Sequence, residues 1–159
     1  MYLAVKAIHV FAVVMFLGNI TVGLFWKRYG DRTGNAAIMA HTVRGIILAD
    51  RSITVPSIVV IVVAGIGAAE AAGIPILGTG WIVWSLGLFI LSGIAFMPLS
   101  RVQRALYLVA TTGLQSQDEK TRYDALSRQW DIWGSIALVL PIVALILMVL
   151  KPTLPAFHA

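Results

Sequence analysis

Cysteine is absent from the 159 residues, so disulfides, thiolate metal sites and cysteine nucleophiles are all excluded. Charge is scarce as well. Asp, Glu, Lys and Arg make up 12% of the chain, about half the roughly 25% of an average soluble domain. No nucleophile triad, phosphate-binding glycine loop, carboxylate-rich metal pattern, internal repeat or low-complexity tract occurs. What fills the chain is apolar: 59% of residues are hydrophobic. The expectation is therefore an all-α, polytopic membrane protein, with residues 1–159 forming one transmembrane domain. A net charge of +5 would suggest nucleic acid in a soluble protein. Here the basic residues sit in loops beside apolar runs, so they report membrane orientation, and no nucleic-acid partner is expected.

Four apolar runs, at about 2–26, 53–72, 81–98 and 132–150, each approach the roughly 20 residues that cross a bilayer. The first is too long for the hydrophobic core of a signal peptide and lacks a small-x-small cleavage site. Lys27, Arg28, Asp31 and Arg32 anchor its end at an interface. Residues 33–51 read as an amphipathic interfacial helix. Asp50-Arg51-Ser52 then caps the second span, and Pro56 is tolerated in its first turn. Gly65 and Ala69 in that span have the small-xxx-small spacing that lets helices approach closely in lipid, and such faces would also serve a homodimer. Trp81 and Trp84 anchor the third span, Arg101, Arg104 and Tyr107 continue it amphipathically, and Pro141 is expected to kink the fourth. A short tail after Lys151-Pro152 ends near His158.

The basic residues are distributed unevenly. Lys27, Arg28, Arg32, Arg44 and Arg51 lie in the first loop, and Arg101, Arg104, Lys120, Arg122 and Arg128 in the third. The second loop has none. The positive-inside rule then puts loops one and three, with their short interfacial helices, in the cytoplasm and both termini outside.

Ionisable groups inside a span are costly and mark candidate sites. His9 lies about 12 Å along the first helix, on a stripe with Ala12, Phe16, Asn19 and Gly23. Lys6 precedes it by three residues, Glu70 ends the second span on that side, and Ser85 lies about 6 Å inside Trp81. An inward imidazole can ligate haem iron, accept a proton, or bond to a backbone carbonyl. Lys6 can meet an anionic group or snorkel to the headgroups, and Glu70 reads as a snorkelling residue. His41, on the cytoplasmic side, cannot share a haem with His9 within one chain. Met97, near the cytoplasmic end of its helix, is poorly placed as a thioether ligand. Asp50 and Arg51 read as capping and interface charges, and Arg122, Asp124, Arg128 and Asp131 as a solvated helix face.

Lys6-x-x-His9, the run Ala49-Asp50 with Thr54 and Pro56, and Arg128 with Trp130 resemble an uncharacterised family of bacterial inner-membrane proteins, domain-of-unknown-function family 2269. More distantly, Met1-Tyr2, Lys6-Ala7-Ile8-His9, Gly18, Arg44, Trp81 and the closing Val149-Leu150-Lys151-Pro152 resemble the HemJ-type membrane protoporphyrinogen IX oxidases. That resemblance implies haem b associated with the protein and a functional pair made by the first-helix histidine, which His9 matches, and a lysine on the third helix. The matching position here is Ser85, which can neither carry the positive charge nor ligate iron as an amine would. The expectation is thus a HemJ-like architecture, either with haem b at His9 and with Lys6 and Ser85 beside it, or as a non-enzymatic accessory or small membrane component with no cofactor.

Overall fold

The computed structural model describes residues 1–157, and His158 lies outside them. The chain folds as α1 (Tyr2–Arg32), α2 (Ala36–Ala49), a π-helical turn (Asp50–Thr54), α3 (Val55–Ala71), α4 (Gly80–Thr111) and α5 (Gln117–Leu150). Because α2, the π turn and α3 run on without a break, four helices of 31, 36, 32 and 34 residues are long and apolar enough to cross a membrane. At 1.5 Å per residue they measure about 45–55 Å, against a hydrocarbon core of about 30 Å. The helices are therefore longer than the hydrocarbon core requires, and the basic residues of the first and third loops lie together at one end of the bundle.

These bounds exceed the expected spans for identifiable reasons. Residues 33–51 are no separate interfacial helix. Asn35 caps α2, its side chain accepting from the backbone N–H groups of Ala37 and Ile38, and the helix then passes straight into the second span. Pro56 lies in the first turn of α3 as expected, but that turn continues the preceding helix and is not a free start. Its missing N–H and bulky ring are accommodated by the widened π turn just before it, closed by the Val55 N–H on the Asp50 carbonyl. The third span runs past Pro98 to Thr111, because Val102, Leu106, Val109 and Ala110 are buried beside α2. The fourth begins at Gln117 with a capping box of Ser116 and Glu119. α3 ends where the Gly73 and Ile74 N–H groups return to the Glu70 and Ala69 carbonyls, with Gly73 at φ 65°.

Packing follows the stripe on α1. His9, Ala12, Phe16, Asn19 and Gly23 face the long second helix as expected, and the stripe continues through Lys27 to Gly30, whose bare Cα lies against Thr42. The small residues of α3 are taken up here: α3 packs on α1, and Gly65 makes room for the His9 ring. The other pair is α4 with α5, pinned where Ser92 and Ser85 donate to the Ala137 and Ala144 carbonyls at 2.7 and 3.2 Å. Among the described residues, α3 approaches neither α4 nor α5, and α1 has no close backbone contact with α4. Phe16 on Phe89, centroids 5.5 Å apart, bridges the pairs. At the basic end α2 fills the space between them, and there the main core forms around Val43, Leu106, Tyr123 and Trp130.

Candidate functional site

Two buried polar clusters lie along α1, both in the half of the bundle that ends in the basic loops. The outer one centres on Lys27. This residue is 1% exposed, and its ammonium group donates to Asp31 and Ser127. The faces of Tyr123 and Trp130 lie 5.6 and 5.3 Å away. Asp31 also accepts from Tyr123 Oη at 2.6 Å and Ser127 Oγ at 3.0 Å. Lys27 is thus no headgroup anchor, because Asp31 one turn on and three side chains of α5 supply every contact its charge needs. The opposite face of that stretch of α5, with Arg122, Asp124 and Arg128, is exposed as expected, but Asp131, expected on the same solvated face, is only half-exposed and turns its Oδ1 toward Arg28 of α1.

The inner cluster is built on the π turn. Asp50, expected as a capping or interface charge, is 7% exposed and faces the interior. Its Oδ1 accepts from Thr54 Oγ1 at 3.0 Å and lies 3.4 Å from Asn19 Nδ2, while Oδ2 accepts from Gln103 Nε2 at 2.9 Å. Asn19 also donates to Thr54 at 2.8 Å. Asp50 and Thr54, the first and last residues of the π turn and four apart, lie on one face and both reach Asn19 of α1. Three helical segments, α1, the π turn and α4, thus converge on one carboxylate, and all its partners are neutral. Arg44, Arg51, Arg101 and Arg104 are exposed, and among the described residues no cation lies within salt-bridge distance of Asp50. Beside it is a cavity of about 20 Å³ lined by Asn19, Asp50, Gln103, Trp130 and Gly134 among others, the size of one water molecule.

The sequence-predicted residues lie at the far end and do not converge. His9 Nδ1 is 2.9 Å from the Ile61 carbonyl, and the ring lies edge-on to Gly65. A proton on Nδ1 satisfies that bond and leaves the Nε2 lone pair free. Lys6 is exposed, its ammonium group over the Tyr2 ring at 5.6 Å. Ser85 is buried but turned to α5. Glu70 and Met97 are exposed, and His41 is exposed on α2, toward the other end. Among the described residues no group of three His, Cys, Asp or Glu side chains could hold a metal ion.

Asp50, Gln103 and Lys27 are the polar residues that sequence reasoning undervalued. Asp50-Arg51-Ser52 ahead of a proline has the form of a helix start, which hid a mid-helix acid. The usable signal was Asn19, a second polar residue on the α1 stripe that needed a partner inside the bundle.

Residues 3–152 match a family model described as "Predicted integral membrane protein (DUF2269)". No curated protein and no solved structure matches the chain.

Proposed function

The chain belongs to DUF2269, a family of predicted integral membrane proteins, and we propose that it acts as a small proton-handling component of the bacterial inner membrane, without a cofactor of its own. One observation carries this reading: a buried carboxylate with only neutral partners, next to a cavity for a single water. An unpaired anion in a low-dielectric interior costs several kcal/mol, and a proton on Asp50 removes that cost. Thr54 is suited to either state, since its hydroxyl can donate to the carboxylate or accept from the acid. The proton would come from water at the basic end and return there through the cavity. Infrared difference spectra between acidic and alkaline pH, on protein in lipid bilayers, test this. A protonated-carboxyl band is expected that disappears in Asp50→Asn. Its absence from the wild-type protein at every pH, or its persistence in Asp50→Asn, would refute the reading.

A second reading is haem b at His9, and the observation favouring it is the fixed Nδ1, which leaves Nε2 available as one axial ligand. The residues fit a single ligand and no more, since Lys6 and Ser85 point elsewhere. When bound, the haem would supply one-electron redox chemistry. A Soret band lost in His9→Ala and kept in His41→Ala would support it, and a colourless protein after haem supplementation would remove it.

The proposed orientation, both termini outside, rests on the ten Lys and Arg of the first and third loops. A reporter fused after Ala159 that is active only in the cytoplasm would reverse it. For a homodimer, the outward small residues within helices are Gly18, Gly45, Gly87 and Gly93, which have open space where a Cβ would stand.

A further inference from the structure

A groove of about 460 Å³ runs between α1 and α5 at the basic end, lined by Thr21, Leu24, Phe25, Arg28, Tyr29, Arg32 and Leu138. That volume lies in the range of small-ligand sites, about 300–1,000 Å³. Its two ends differ in chemistry. Leu24 and Leu138 make the membrane-facing end apolar, and Arg28 and Arg32 make the other end basic. The stretch of α1 from Thr21 to Arg32 is about 16 Å long at 1.5 Å per residue.

Depth is marked on the same helix. Phe25, Trp26 and Tyr29 form an exposed aromatic cluster, with Phe25 and Tyr29 stacked at 6.1 Å and Trp26 edge-on to Tyr29 at 5.9 Å. Such side chains settle at the membrane–water boundary, so Arg28 and Arg32 lie at headgroup level. Arg28 carries one long ion pair, its Nε 3.7 Å from Asp131 Oδ1 with both side chains solvent-accessible, and Arg32 carries none among the described residues.

We propose that this groove holds one anionic phospholipid, its phosphate on Arg28 and Arg32 and the start of an acyl chain along Leu24 and Leu138. The inference is independent of the Asp50 reading. A basic recess between helices at the membrane boundary suits an anionic headgroup. The apolar end distinguishes it from a site for free phosphate.

The test is native mass spectrometry of the whole chain in neutral detergent, titrated with phosphatidylglycerol or with phosphatidylcholine of the same acyl chains. Phosphatidylglycerol should bind in preference, and the Arg28→Gln, Arg32→Gln double variant should lower its affinity by about thirtyfold, the factor for two basic groups at an anionic headgroup. Phosphatidylcholine binding should stay as it was. The Arg101→Gln, Arg104→Gln double variant removes equal charge from the same end outside the groove, and should bind phosphatidylglycerol like the wild type. Equal binding of the two lipids, equal losses in the two double variants, or inorganic phosphate competing as well as the lipid would each overturn the proposal. Thermal melting of both variants alongside the wild type separates lost binding from lost folding.

Discussion

Asp31→Asn should destabilise the bundle more than Lys27→Met, although each breaks the same ion pair. The asymmetry follows from burial: the Lys27 side chain is 1% exposed and that of Asp31 25%. After Lys27→Met, Asp31 keeps its bonds from Tyr123 and Ser127 and a quarter of its surface in solvent. The cost should be that of an under-satisfied polar group, about 1–3 kcal/mol. After Asp31→Asn, the ammonium group stays enclosed with neutral partners only, an amide oxygen, one hydroxyl and two ring faces. The ring faces contribute about 0.5–2 kcal/mol each, less than an orphaned buried charge loses, so the cost should approach the roughly 3–5 kcal/mol of a broken buried pair. The gap of about 2 kcal/mol is about thirtyfold in the unfolding equilibrium. Reversible unfolding in mixed micelles, followed by circular dichroism, measures both variants. The double variant should cost less than the sum of the singles, because the two residues share one network. Equal costs, or the larger cost for Lys27→Met, would show that the chain does not bury this charge as described.

Gly65→Ala should cost about 1–3 kcal/mol as an overpacking change, since the new Cβ would stand 3.0 Å from His9 Cε1. His9→Ala should relieve it, and a loss that persists in the double variant would place the strain elsewhere. At the other pair of helices, a Cβ at Gly80 would fall 2.0 Å from the Leu154 carbonyl oxygen, so Gly80→Ala should lift the C-terminal tail off α4. Carboxypeptidase should then trim that tail faster than in the wild type, and unchanged trimming would contradict the contact. Ser116→Ala should lower stability by about 1 kcal/mol through loss of the capping box, and a melting curve unaltered from wild type would count against that cap.

Much of the architecture was legible in the residues. The α1 stripe, the apolar runs and the basic loops follow from periodicity and composition, and the helices obey them. The reach of each helix was less legible, because polar residues end a membrane span without ending a helix. Arg101 and Arg104 look like a boundary, yet Val102, Gln103 and Leu106 between and after them are buried. The buried clusters were hidden for another reason. Lys27 depends on Tyr123 and Ser127, and Asp50 on Gln103, partners far away in sequence that no local pattern announces. His9 drew attention as an isolated titratable group, whereas its partner, the Ile61 carbonyl, is a backbone atom that any residue provides.

The π turn gives the long second helix a joint in its numbering. Ile46, Asp50 and Thr54 meet α1 at a spacing of four, which an ideal α-helix of 3.6 residues per turn would carry steadily off the contact. The looser turn absorbs that drift, so Ile61 and Gly65 return to face His9. Each half of the helix is therefore indexed to α1 separately. Wound as an ordinary α-helix with every residue kept, the far half would swing by about 100°, taking Gly65 away from the imidazole it accommodates. Losing one residue between 50 and 54 would instead let a plain α-helix keep both halves on α1, so the turn and the extra residue come as a pair.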